Sequence, residues 1–395
     1  MTPTGAPRVR ALSIHAEYHC RGAGACCSSG WAIAVEPEVE AGLRAALHGG
    51  ALRLPERDPT LPPGRPDGDA VRPVSGLPHG ARVVLGTEEG RCIFLERAGL
   101  CAIHRQLGEG ALPSACRHFP RVATLTPLGV SVTLSHYCPT AASTLFRDDV
   151  DLAIVEDPPA FPPSWPWEGL DARDALPPLL RPGVFMSWPS LERWERFAVT
   201  VLAREGCSPE APLGVLAAAA EEARGWIPER GPFEAFFDAV LSAAARKIPR
   251  VPMPPWSLGM ASAWRLAADC IPRRVAPRPA APQGLQDTCA LWVAPAWPGL
   301  ARPIRLWLAA KAFASWLALQ GAGLRTTVLG LRAALLVLRA EAARGCAEAG
   351  RPLDARLLKE AIRRADLLLV HLADPEALAR RLGRGESAGA PADAW

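Results

Sequence analysis

Seven of the chain's eleven cysteines fall between residues 20 and 138, in two clusters: Cys20, Cys26 and Cys27, then Cys92, Cys101, Cys116 and Cys138. A lone buried cysteine is usually a small hydrophobe. Seven in about 120 residues, two of them adjacent, exceed what packing asks for. A disulfide framework would need an oxidising compartment. The stretch Met1–Tyr18 has neither an apolar h-region nor a small-residue cleavage site, so it does not read as a secretory signal, and the chain reads as cytoplasmic. What remains is a thiolate metal site whose ligands come together on folding. Thiolate suits zinc and iron–sulfur alike, so spacing leaves the metal open.

Composition closes off several function classes. A chain of 395 residues suffices for two or three domains, and 49% apolar with 21% charged residues is ordinary for a globular protein. The Ala/Leu-rich stretch 300–345 is broken by Arg302, Arg305, Lys311, Arg325, Arg332 and Arg339, short of the roughly 18–20 apolar residues of a membrane span. A net charge of +4 without a dense basic stripe argues against nucleic acid. Lys247, Lys311 and Lys359 are the chain's lysines; the other basic residues are arginines.

The fold expected is mainly α: a cysteine-rich α+β metal-binding domain over 1–155, a Pro-rich linker over 156–189 packed on the surface, a helical domain over 190–384 and a disordered tail over 385–395. Strands are expected within Arg8–His19, Gly30–Val35 and Arg82–Gly86, and a helix over Pro37–Leu47 with proline in its first turn. Residues 48–80 read as loop. Cys92 and Cys101 sit on neighbouring arms of a turn at Arg97–Gly99. Pro120 ends a helical turn around Cys116. Val122–Ser135 reads as a hairpin around Pro127-Leu128-Gly129, whose second arm alternates Val130, Val132 and Leu134 with Ser131, Thr133 and Ser135. It delivers Cys138 to the start of a helix near Pro139, a position that favours thiolate. Ser190 is the expected cap of the next helix. Further helices are expected at 211–225, 232–246, 257–269, 301–320, 323–348 and 353–372, with a break over 271–298 and Asp374-Pro375 opening a final helix.

The first-choice metal ligands are Cys20, Cys26, Cys27, Cys92, Cys101, Cys116 and Cys138, of which four suffice for one zinc or one [4Fe–4S] cluster. Adjacent Cys26 and Cys27 are expected to point apart and not to serve one ion together. His19, His104, His118 and His136 lie within three residues of these cysteines, and His118 and His136 are the better ligand candidates. Arg117 and Arg121 flank Cys116 four residues apart, where they balance thiolate charge or grip a carboxylate. Glu88 and Glu89 are the nearest candidates for a general base, against a solvated turn as the plainer reading. Cys207, Cys270, Cys289 and Cys346 read as packing residues.

The run from Cys20 through Cys26-Cys27 to Gly30-Trp31 resembles the opening of the flagellin lysine-N-methylase family. So do Cys92-Ile-Phe-Leu95, Gly99-Leu-Cys101-Ala-Ile103, Gln106-Leu107-Gly108, Leu112-Pro113 and Cys116-Arg117-His-Phe119-Pro120-Arg121. More loosely, the same elements resemble the YkgJ-type cysteine-cluster family, described as zinc- or iron-chelating. The resemblance covers roughly residues 15–146, with a looser echo from Arg364-Ala365-Asp366 to His371. It implies an iron–sulfur cluster and methyl transfer from S-adenosylmethionine to protein lysines, with Arg117 and Arg121 as cofactor-binding candidates. The Cys-x3-Cys-x2-Cys spacing of radical S-adenosylmethionine enzymes is absent, as is a strand–Gly-x-Gly–helix signature. The alternatives are a non-enzymatic zinc- or iron-chelating protein and a redox sensor.

Overall fold

Alternation over Val122–Ser135 produces the hairpin it predicts, Arg121–Thr126 against Gly129–Leu134. Around it a five-stranded sheet forms, in the order Leu170–Asp171, Arg121–Thr126, Gly129–Leu134, Val9–Leu12 and Ile154–Glu156. Val9–Leu12 runs parallel to Gly129–Leu134, with Val9 opposite Val130, and antiparallel to Ile154–Glu156. The computed structural model describes residues 6–56, 70–75, 80–246, 259–272 and 284–387, the side chains of 385–387 excepted. Parts of the expected loop 48–80 and break 271–298, and the expected tail beyond Ser387, lie outside the described residues. The chain is mainly α.

Both faces of the sheet are covered. Val9, Ala11, Leu125, Val130 and Val132 pack with Phe161 and Trp167. The opposite face is polar, a pattern that ordinarily meets water. Here Arg10, Thr124, Ser131 and Thr133 are all buried. They are satisfied by what lies over them. Thr133 Oγ1 donates to Ala310 O (3.2 Å) and Thr124 Oγ1 to Ala314 O (3.0 Å). Arg10 donates to Ser131 Oγ (2.7 Å) and pairs with Glu195 (2.6 Å).

Residues 156–189 carry the sheet's edge strand Leu170–Asp171, a two-stranded ribbon of Leu179–Arg181 and Val184–Phe185, and the buried Phe161, Leu180 and Met186. Gly169 lies where any Cβ would collide with the Ala123 carbonyl, so glycine is what lets this edge strand close on its neighbour. The following helix, Trp188–Ala203, is capped by Ser187, whose Oγ accepts from Ser190 N (3.3 Å). Ser190 therefore sits inside the first turn, not at the cap. Pro189 needs no N–H partner there, which lets the helix begin earlier than the apolar pattern suggests.

The helical part is built on Leu324–Ala349, closed by Gly350 in the left-handed conformation. Ala211–Arg224, Met260–Ala268 and Ala355–Asp366 pack on it, and one apolar core joins these helices to Leu12, Ile14 and Leu145. Asp354 caps Ala355–Asp366 by accepting from Leu357 N (2.8 Å), and the helix widens into π turns over Leu367–Leu372. Three expectations are corrected. The helix expected over 301–320 is two, Ala301–Ala312 and Trp316–Gln320, with Ala314 at φ +53° between them. Glu195 accepts from Ala314 N (3.0 Å), so a buried carboxylate 119 residues away holds the break. The expected loop 48–80 contains the strand Val71–Pro73, which pairs with Val83–Leu85 and, through it, with Ala34–Val35. Within the expected break over 271–298, Leu285–Thr288 and Cys289–Val293 are helical, because the apolar Leu285, Cys289 and Val293 are buried in the main core. Among the described residues no helix is long and apolar enough to cross a membrane.

Candidate functional site: thiols beside a cavity

Gly24, at φ +65°, opens the 3₁₀ turn Ala25–Cys27 and brings this loop against the Gly99 carbonyl, where a Cβ would stand 2.8 Å away. The helix Pro37–His48 and the three-stranded sheet enclose an apolar cluster that includes Cys27 and Cys92, with Cys26, Cys101 and Cys116 packed against it. Leu95 bridges Cys101 in antiparallel fashion, which realises the two arms expected for Cys92 and Cys101. Cys116 comes from the short helix Ser114–His118. The Cys26 and Cys27 sulfurs stand 3.8 Å apart, so the neighbours do not diverge. A 3₁₀ turn, unlike a strand, does not send successive side chains to opposite faces.

Cys27 shares hydrogen bonds with the thiols of Cys101, Cys26 and Cys92, and these, with burial, push its thiol far up. Its partners move the other way. The Cys27 hydrogen bond and the amides of His104 and Ile103 bring Cys101 down to about 6, and Cys26 is lowered by the same Cys27 thiol. Burial and the charges of Cys26, Cys92 and Cys101 raise Cys116. The set thus favours thiolates at 26 and 101. Among the described residues, no three or more His, Cys, Asp or Glu side chains are disposed to hold a metal ion as they stand.

The other two expected ligands lie elsewhere. Cys20 is exposed and accepts from Gly22 N (3.4 Å). Cys138 is buried at the start of Pro139–Thr144, 3.7 Å from the Tyr18 hydroxyl. His19 and His104 are exposed. His118 faces the carbonyls of Ser114 (3.0 Å) and Pro166 (2.9 Å), and His136 faces Asp366 and His15, so neither imidazole turns a nitrogen to the thiols. Glu88 and Glu89 belong to a tight hairpin, Glu89 at φ +49°, as the solvated-turn reading anticipates. Cys270, Cys289 and Cys346 are buried in apolar cores, and Cys207 is half-buried beside Arg204 O.

Next to the helix that carries Cys116 lies a cavity of about 520 Å³, lined by Ser114, Ala115 and His118 of that helix but not by Cys116 or Arg117, and by the polar sheet face, the broken helix at Ala314, and Leu331 and His371. Trp31, Phe119 and His371 line it and pack on one another, His371 stacked on Trp31 with ring centroids 4.4 Å apart and Phe119 tilted against both. Tyr137 completes this aromatic group from behind. Arg121 also lines the cavity. Its guanidinium lies over Tyr18, Phe161 and Trp165, and it donates to Arg117 O (3.3 Å). Arg117 and Arg121 each keep a buried Nε without a hydrogen-bond partner.

Sequence reading missed the buried charges under this cavity. Asp366, fully enclosed, pairs with Lys311 (2.8 Å) and accepts from Trp307 Nε1 (2.9 Å) and His136 N (2.6 Å). Burial opposes its charge, yet Lys311 and His136 hold the carboxyl well below its usual range. Burial keeps His15 and His136 neutral. Asp366 can only accept, so His136 Nδ1 carries the proton and His136 Nε2 accepts from His15 Nε2 (3.2 Å). This leaves His15 Nδ1 as a buried bare acceptor. His371 is brought down to about 4 by burial and lies 2.7 Å from Ser135 Oγ. The available signals were Lys311, one of three lysines in an arginine-rich chain, the candidate His136, and the looser echo from Arg364-Ala365-Asp366 to His371.

A stretch of 78 residues is 31% identical to the flagellar biosynthetic protein FliU of Salmonella muenchen, covering 20% of this chain and 46% of that protein. The chain therefore matches about half the length of this curated relative. No protein-family profile and no solved structure matches the chain.

Proposed function

We propose that the chain is a cysteine-cluster metalloprotein that carries an iron–sulfur cluster, of the [4Fe–4S] kind, and methylates protein lysines from S-adenosylmethionine. The observation that carries this reading is the gathering of Cys26, Cys27, Cys92, Cys101 and Cys116 from separate segments into one apolar cluster, with Cys116 on the short helix whose Ser114, Ala115 and His118 line a cavity. Five thiols, two of them drawn toward thiolate, support a soft metal by donor type, although no three of them are disposed to hold an ion as they stand. Cys20 and Cys138 stand apart from this set and would serve a second centre or none. A centre bound by the five gathered thiols would supply Lewis acidity or an electron.

For the chain's own residues the roles divide. Arg121, which lines the cavity, and Arg117, which does not, each have an unfilled Nε donor suited to the carboxylate of S-adenosylmethionine. The aromatic group of Trp31, Phe119 and His371 gives the cavity a wall that excludes water. Similarity to a flagellar biosynthetic protein supports flagellar protein as the acceptor class. Calorimetric titration of anaerobically purified chain with S-adenosylmethionine tests the reading. Binding weakened by Arg121→Ala supports it, and no heat at millimolar ligand contradicts it.

One observation favours a second reading, a non-catalytic zinc- or iron-chelating protein. The 3.8 Å between the Cys26 and Cys27 sulfurs equals the ~3.8 Å edge of a tetrahedron with metal–sulfur bonds of ~2.3 Å. Colourless, zinc-loaded protein that ignores S-adenosylmethionine would establish that reading.

A further inference from the structure

We propose that the cavity receives a lysine side chain of an acceptor polypeptide, its ammonium held by Glu36 and Glu168 beside the rings of Trp31 and Phe119. That the amine is a lysine rests on the methylase reading; that the site takes an alkylammonium rests on the geometry alone. Ser114 N donates to both Glu36 oxygens (3.2 and 3.3 Å), and Ser114 Oγ donates to Glu168, so two carboxylates meet at one buried serine. Among the described residues neither carboxylate has a cationic partner. All three residues line the cavity, Glu168 exposed and Glu36 half-buried.

The other charged and polar groups there do not fill that vacancy. Lys311 is committed to Asp366. Arg121 is spread over three rings and bound to Arg117 O. His118 turns its nitrogens to the carbonyls of Ser114 and Pro166 and, at 3.3 Å, to Ser114 Oγ, and forms no ion pair with either carboxylate. Trp31 and Phe119, with ring centroids 5.7 Å apart, line the cavity as π systems that attract a cation. Leu331, Ala334 and Leu369 offer apolar surface for a four-carbon stem. At 520 Å³ the cavity falls in the about 300–1,000 Å³ range of ligand sites, with room for a second ligand beside a lysine.

The test uses the full chain and Nα-acetyl-lysine amide, with its neutral 6-hydroxynorleucine analogue as comparison, followed by saturation-transfer NMR and calorimetry. The lysine amide should bind about tenfold or more tightly than the neutral analogue, the range of one charge-assisted hydrogen bond. Glu36→Gln and Glu168→Gln, which keep an acceptor for Ser114, should each weaken it by about tenfold, and the exposed Glu229→Gln should not. Trp31→Leu should weaken it as well; if that variant fails to fold, the two glutamine variants still decide. Equal binding of amide and analogue, no binding at all, or glutamine variants that bind like the parent would overturn the proposal. Metal per chain, measured on the same samples, separates the two claims. Retained metal without amine selectivity sinks the lysine site alone, and amine selectivity without metal sinks the metalloprotein reading alone.

Discussion

Asp366 gathers Lys311, Trp307 and His136 around one carboxylate with no exposure to water. Asp366→Asn leaves the Lys311 ammonium buried without its counter-charge, a change that costs about 3–5 kcal/mol when one partner of a buried pair is removed. Urea unfolding measures it, and a loss below about 1 kcal/mol would mean the pair is not the keystone its burial implies. His371 makes a pH prediction. Burial brings it down to about 4 in the folded chain, from about 6.5 unfolded, so between these values the unfolded chain binds more protons. Stability is then full above about pH 6.5 and falls on acidification toward about pH 4, by up to about 3 kcal/mol from this residue. His15 and His136 are lowered too and act in the same direction. Urea midpoints at pH 7.5, 6 and 5 should fall in that order, and His371→Gln should flatten the slope.

The break between Ala301–Ala312 and Trp316–Gln320 shows where sequence patterns run out at the level of elements. The apolar period through 301–320 is unbroken, so nothing local stops the helix there. What stops it is Glu195 on one partner and Thr124 on another, which together hold Ala314 at φ +53°. A left-handed alanine costs roughly 1–2 kcal/mol. Ala314→Gly should therefore leave stability unchanged or raise it by up to about 1 kcal/mol, whereas Ala314→Val should lower it by about 2 kcal/mol or more. Thermal midpoints of the two variants check this, and a valine variant as stable as the parent would contradict it. The hairpin after Arg121 was legible because alternation and a Pro-Leu-Gly turn are local signals. The burial of Ser131, Thr133 and Ser135 was not, since their partners Arg10, Ala310 and His371 are distant in sequence.

At the scale of the molecule, thiols from residues 26–27, 92–101 and 116 converge across an insert of which 57–69 and 76–79 are not described. Closing that loop costs entropy, and metal–thiolate bonding on the order of 10 kcal/mol or more in small domains can offset it. Cysteine density made this cluster legible, because soft-ligand chemistry shows in residue type. The carboxylates at Ser114 and the network at Asp366 were not legible, because ordinary Glu, Lys and Asp carry no such mark until folding brings them together. The most direct test is zinc, iron and acid-labile sulfide per chain, measured after anaerobic purification, for the parent, Cys27→Ser, Cys101→Ser and Cys207→Ser. The parent and Cys207→Ser should carry the same metal, while Cys27→Ser and Cys101→Ser should lose most of it and expose residues 1–150 to protease. A metal-free parent, or equal loss from Cys207→Ser and Cys27→Ser, would contradict the account.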